Sequence, residues 1–168
     1  MNQDTPENPD DELIKKVVSA CRDRGSSAEL RRYWSPATRQ YAFPVLGRIG
    51  VTNPRSADAF TAALYALNPR HAAGGPRPGQ ALKKFANGEE SFDAHVRRLL
   101  ACDALDEVAE QLQRLFVRLG REGIALDYNR LLWDLRSWAK KSEDIKTRWG
   151  QDYWMKSKEM QATESLAL

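Results

Sequence analysis

From Leu13 to Tyr153 the apolar residues recur at helical spacing, and no stretch alternates apolar with polar residues at the period of two that strands require. Leu105, Val108, Ala109, Leu112, Leu115, Phe116 and Leu119 form the longest stripe, stopped by Gly120 and Gly123. Leu13, Val17 and Cys21 define an earlier helix that Gly25 is expected to stop. Ser35-Pro36 reads as a helix start running through Tyr41, with Pro44 expected to kink or end it. Asn53-Pro54 repeats the cap signal before Ala57, Phe60, Leu64 and Leu67, and Asn68-Pro69 closes that helix. Further helices are expected over Gln80–Ala86, after caps at Ser91, Asp103 and Asp127, and from Ser142 through Ile145, Trp149 and Tyr153. The expected fold is all-α, with about eight helices in two small helical bundles.

The punctuation between helices suggests the organisation. Residues 1–12 read as a disordered acidic tail, 13–88 and 89–158 as two bundles meeting near Gly88, and 159–168 as a second tail. The stretch from His71 through Gly74, Gly75 and Pro76 to Gly79 is the most loop-like in the chain and is expected to be flexible. At 168 residues and 19.1 kDa the chain can bury a sizeable core without metals or bridges. No apolar run approaches the ~18 residues a membrane helix needs. The polar start lacks the charged-then-apolar pattern of a secretory leader, and the expected location is the cytoplasm.

The net charge of +3 conceals an uneven distribution. Asp4, Glu7, Asp10, Asp11 and Glu12 make the first 12 residues purely acidic. Residues 13–101 hold 15 Lys and Arg against 6 Asp and Glu, whereas residues 102–168 hold 11 against 12. The 17 arginines outnumber the 9 lysines, a bias suited to forked contacts with phosphate. A basic middle points to a polyanion partner or to a solvated basic face. Arg97 and Arg98 both leave the stripe of Phe92, Val96, Leu99 and Leu100, and Lys83-Lys84 must place at least one cation outside its helix stripe.

Catalytic patterns are missing. His71 and His95 have no second ligand at metal spacing, and Cys21 and Cys102, two thiols on apolar patterns, cannot build a zinc site alone. The Gly74-Gly75 loop lacks the Gly-Lys-Ser/Thr ending of a phosphate loop, although Arg70 and Arg77 would attract phosphate. Asp103, Asp106, Glu107 and Glu110 suit the start of a helix, where acids oppose its dipole. No metal or cofactor is expected. Trp138, Trp149 and Tyr153 fall on apolar stripes and are assigned to the core; base stacking is the alternative for the exposed aromatics, with Trp133 and Trp154 also in this region.

Several segments, in order, resemble the CasB family, the small subunit of the type I-E CRISPR surveillance complex called Cascade. They are Arg24-Gly25, Ala28 to Arg32, Tyr41 to Val45, Phe92 to Ala101, Leu126 to Leu135 with Trp138, and Arg148 to Trp154. The resemblance implies an all-helical protein without catalytic activity, present as two copies beside other Cascade subunits. It implies contacts to guide RNA and target DNA that steady the target and displaced strands of the R-loop. Carried over residue by residue, it marks Arg24, Arg31, Arg32, Arg97, Arg98, Arg130 and Arg148 as basic motif positions. Arg130 and Arg148 serve either nucleic acid or the packing and salt bridges of the bundle. Arg39, Lys83 and Lys84 join the candidate set on charge alone. The competing reading is a protein–protein adaptor whose basic face meets an acidic partner helix.

Overall fold

The computed structural model describes residues 9–155. Most of the acidic tail and the segment after Met155 lie outside the described residues. Among those described, nine α-helices and three short 3-10 turns account for the architecture, without a strand. The helices are α1 (Pro9–Ala20), α2 (Arg24–Arg31), α3 (Phe43–Arg48), α4 (Ala57–Leu67), α5 (Pro78–Ala86), α6 (Asp93–Leu100), α7 (Leu105–Glu122), α8 (Tyr128–Arg136) and α9 (Trp138–Trp154). None is long and apolar enough to cross a membrane.

Helix α4 is the centre of the molecule. Its residues from Ala59 through Ala66 are all buried, so it is apolar all round and not merely along the expected stripe. Alanines at 59, 62, 63 and 66 let neighbours approach closely: α1 and α2 pack against it, as do α7 and α8. The buried Thr61 hydroxyl satisfies itself by donating to the Ala57 carbonyl at 2.8 Å. Buried side chains from Leu13 to Tyr153 form one continuous cluster that includes residues on both sides of Gly88.

Several expected boundaries move, each for a local reason. Gly25 does not end the first helix. Asp23 ends the preceding turn and caps α2 by accepting from the Ser26 N–H at 2.9 Å, so Gly25 lies in the first turn of α2. Pro44 starts a helix instead of breaking one, because the first turn of α3 has no intrahelical acceptor for its missing N–H. Residues 36–41 form turns and a 3-10 turn (Arg39–Ala42) in place of the expected helix. Ser56, not Asn53, caps α4; Asn53 instead holds the preceding turn by accepting from the Arg55 N–H. Ser91 sits in a 3-10 turn (Glu90–Phe92) ahead of α6, which has no side-chain cap. Asp103 does not cap α7, which begins after Ala104; its carboxylate pairs with Lys146 at 3.0 Å. Asp127 does cap α8, accepting from the N–H groups of Asn129 and Arg130. Lys141 leaves helical geometry (φ −130°) and kinks α9 immediately before Ser142.

The glycine-rich loop is not loose. His71 and Leu126 form an isolated parallel bridge, with the Ala72 N–H donating to the Leu126 carbonyl at 3.0 Å. The Asp127 N–H donates to the Pro76 carbonyl at 2.8 Å, and the Gly74 N–H donates to the Asp127 carboxylate at 3.1 Å. A segment that satisfies its backbone polar groups this fully is a structural joint.

Two glycines are required by close approach. A Cβ at Gly120 would strike the Leu67 carbonyl oxygen, and one at Gly79 would strike the Trp149 carbonyl oxygen. Gly47 in α3 has open space around it. Gly120→Ala is therefore expected to destabilise the fold by about 1–3 kcal/mol through overpacking. Gly47→Ala should raise stability by about 0.4–1 kcal/mol by reducing unfolded-chain entropy. Urea unfolding of both variants checks the opposite signs; a stabilised Gly120→Ala would contradict the close α4–α7 contact.

Candidate nucleic-acid interface

At Gly79, α5 and α9 meet backbone to backbone, and this contact brings together charged residues from distant parts of the chain. Arg77 ends the glycine-rich loop and donates two parallel hydrogen bonds to Asp152, at 2.9 and 2.7 Å. Further along α5, the Lys83 ammonium donates to the Met155 carbonyl at the end of α9. Two adjoining clefts flank the crossing and share Gly74, Gly75, Arg77 and Gln80. The first, about 640 Å³, adds Asp127, Asn129, Arg130 and Trp133 from α8 and its cap. The second, about 690 Å³, adds Lys83, Arg148, Gln151, Asp152 and Met155.

Beneath these clefts lies a buried carboxylate. Asp134 is 1% exposed, accepts the Trp149 indole N–H at 2.8 Å, and pairs with the Arg148 guanidinium. Burial raises its pKa above the ordinary carboxylate range, and the Trp149 hydrogen bond and the Arg148 charge only partly offset this. Arg148 thus ties α9 to α8 while remaining on a cleft wall.

The sequence-derived basic residues fall into separate groups. Lys83, Arg130 and Arg148 line the paired clefts. Arg97 lies over the Trp154 ring at 5.5 Å, beside the Met155 end of the second cleft. Arg98 is exposed and Lys84 is exposed too, but neither lines a cleft. Arg24 and Arg31 are exposed on α2, and Arg32, also exposed, stacks on Tyr41 at 4.9 Å. Arg39 also makes contacts within the fold: its Nε donates to the Tyr33 carbonyl at 3.1 Å and its guanidinium lies over the Tyr33 ring. Trp138, Trp149 and Tyr153 are buried in the core, whereas Trp133 is 50% and Trp154 39% exposed. Of the cleft residues, Gln80 lies outside every matching segment; Asn129 and Trp133 fall within the Leu126–Leu135 segment without being site candidates, as Gln151 and Asp152 do within Arg148–Trp154. The readable signal for the α8 residues is spacing, since Asn129, Arg130 and Trp133 share one side of that helix.

The remaining reactive groups have structural duties. His71 Nδ1 accepts the Tyr128 N–H at 3.1 Å, helping to start α8. Burial pushes the Cys21 thiol up to about 11 and also raises Cys102, whose thiol donates to the Arg98 carbonyl. Burial, followed by the charges of Arg118 and Arg98, lowers the His95 pKa. Among the described residues, no three His, Cys, Asp or Glu side chains group closely enough to hold a metal ion.

Among the described residues the protein is all-helical, with basic side chains bordering two adjoining clefts. The family model for CRISPR-associated protein Cse2 matches residues 26–154, and the chain belongs to that family. A CRISPR-associated protein Cse2 from Thermus thermophilus is 34% identical over 100 residues, covering 60% of this chain and 57% of that protein's length. The chain therefore matches a little over half of that curated relative. The crystal structure of CasB from Thermus thermophilus aligns with a TM-score of 0.69 at 22% identity, covering 88% of this chain and 98% of that one. CasB from Thermobifida fusca aligns at 0.65 and 17% identity, covering 86% and 94%. A chain of a CRISPR RNA-guided surveillance complex aligns at 0.70 and 24% identity, covering 95% and 97%. These structural likenesses establish the shared helical fold.

Asp134 supplies a test of the ion pair under the clefts. Its folded state holds a proton more tightly than the unfolded chain does, so this group's contribution to stability declines as pH rises through that window. Asp134→Asn keeps an acceptor for Trp149 and removes the titration. The stability difference between variant and wild type should shift in the variant's favour as pH rises above about 4. Asp134→Ala, which strands the Trp149 N–H, should cost about 1–3 kcal/mol. Denaturant unfolding across pH measures both; a pH-independent difference for Asp134→Asn would contradict the assignment.

Proposed function

We propose that this protein is the non-catalytic small subunit of a Cascade-type, RNA-guided CRISPR surveillance complex. It binds guide RNA, target and displaced strands through basic surfaces and thereby stabilises the R-loop. The observation that carries the reading is the pair of clefts lined by Arg77, Lys83, Arg130 and Arg148 in a chain of the Cse2 family. Family membership supports the assembly with other subunits and a second copy of this chain. The candidate set for strand contact is Arg24, Arg31, Arg32, Arg39, Lys83, Lys84, Arg97, Arg98, Arg130 and Arg148. Within it, Arg97 and Arg98 are the exposed pair on α6, while Arg148 uses one nitrogen on Asp134 and Arg39 one on Tyr33.

The physical logic is electrostatic. R-loop formation exchanges one duplex for another of similar stability, so weak contacts to phosphates are sufficient to tip it. Such contacts position a strand without reading its sequence. A protein-docking reading has its own support in Tyr41 and Phe43, which are 49% and 45% exposed next to Arg32. Salt-sensitive binding to random single strands separates the two readings, because an adaptor has no need of it.

The purified chain is expected to bind single strands weakly, without sequence preference, and with a log–log salt slope of about −0.7 per phosphate contact. Arg97→Ala with Arg98→Ala should weaken R-loop retention in the assembled complex and leave stability within about 0.5 kcal/mol of wild type. Gel shifts over a salt series, R-loop lifetimes and thermal melts measure these outcomes; an unchanged lifetime would remove α6 from the interface.

The chain is also expected to cleave no nucleic acid with or without Mg²⁺. Incubation with labelled single- and double-stranded DNA and RNA tests this. Cleavage that co-purifies with the protein and is lost in Asp103→Ala or His95→Ala would overturn the non-catalytic assignment.

A further inference from the structure

Trp133 occupies an unusual position for a tryptophan. Trp34, Trp138 and Trp149 each donate their indole N–H within the protein, to the Ala63 carbonyl, the Asp103 carbonyl and the Asp134 carboxylate. Trp154 packs its ring against Tyr153 and Arg97. Among the described residues, Trp133 alone of the five has no ring, cation or hydrogen-bond partner, and half of its surface faces the 640 Å³ cleft and solvent. Half-exposed on a cleft wall and without an internal partner, the ring is free to stack on an incoming planar group.

Its neighbours carry complementary chemistry. Asn129 and Arg130 precede Trp133 by four and three residues, so all three project from one side of α8. Asn129 lines the cleft, and its Oδ1 is buried without a hydrogen-bond partner. The Arg130 guanidinium is exposed, makes no hydrogen bond among the described residues and acts on the buried Asp134 only through its charge, so its fork can take a phosphate. Gln80 closes the opposite wall from α5. The one carboxylate in the cleft, Asp127, is occupied by the backbone N–H groups of Gly74, Asn129 and Arg130.

We propose that this cleft is a notch for a single unstacked base of a nucleic-acid strand, with Trp133 as the stacking platform. Arg130 holds the adjoining phosphate, and the Asn129 carboxamide lines the notch beside the base. The volume lies within the range of about 300–1,000 Å³ typical of small-ligand sites, large enough to take one nucleotide. The inference rests on the nucleic-acid reading above and adds to it a specific site with a base-dependent component. Stacking tolerates every base, so the notch holds a strand without selecting its sequence.

The test uses the full chain, titrated at fixed salt with labelled oligothymidylate, oligouridylate and an abasic phosphodiester strand of the same length. Trp133→Ala is expected to weaken binding to the base-bearing strands about tenfold. It should leave binding to the abasic strand and the salt slope unchanged, because no phosphate contact is lost. Trp133→Phe, which keeps a ring on the half-buried site, should restore most of the affinity and melt with wild type. Loss on both base-bearing strands supports a base notch shared by DNA and RNA; loss confined to oligouridylate supports an RNA notch that uses the 2′-hydroxyl. Equal binding by Trp133→Ala and wild type overturns the notch, as does an equal loss on base-bearing and abasic strands. If wild type binds no strand at all, the broader nucleic-acid reading fails first; if it binds with a salt slope that Trp133 variants share at full affinity, the notch alone fails.

Discussion

The joint between residues 68–76 and 124–128 governs the rest of the structure. Asn68, fully buried, donates through Nδ2 to the Ile124 carbonyl at 2.7 Å, while the Tyr128 hydroxyl returns a hydrogen bond to the Asn68 carbonyl. Tyr128 is itself buried and packs its ring against Tyr65 and Phe116. These groups are more than 50 residues apart in sequence, and leaving any of them unpaired would cost on the order of 1–3 kcal/mol. The end of α4, the end of α7 and the start of α8 are thereby held at one point. Gly120 permits the approach by carrying no side chain at the Leu67 carbonyl.

The clefts follow from that joint. Once His71 and Ala72 are pinned to Leu126 and Tyr128, the loop must leave toward α9, where Arg77 reaches Asp152 and Gly79 lets the helices touch. The cleft walls are therefore backbone held at both ends, and the cations on them are presented from ordered positions. Asp134 adds a second constraint. A buried carboxylate that accepts from Trp149 and pairs with Arg148 fixes the angle between α8 and α9, although its burial is itself costly. Preorganisation of this kind lowers the ordering entropy that a ligand in the clefts would have to offset.

Helix content was legible in the chain because apolar spacing is a local property. The stripe from Leu105 to Leu119 became the buried face of α7, and Trp138, Trp149 and Tyr153 entered the core where their spacing put them. Boundaries were less legible. Pro44 and Gly25 are breakers inside a helix but are tolerated in a first turn, and which turn they occupy depends on where the neighbouring helix ends. Asp103 has the chemistry of a cap and instead pairs with Lys146, more than 40 residues away in sequence.

The sequence by itself determined that this protein is helical, that it has a basic centre, and that Arg97 and Arg98 leave their helix stripe, because periodicity and charge are carried by residues a few positions apart. Only the tertiary structure decided that the glycine-rich loop is a joint, that Arg39 is held by Tyr33, and that Arg130, Trp133, Arg77 and Gln80 border a single cleft. The physical reason is range. Helical spacing places side chains relative to their own axis, whereas the clefts depend on where α5, α8 and α9 cross. Those crossings are set by contacts such as Asn68 to Ile124 and Gly79 to Trp149, which join segments more than 50 residues apart.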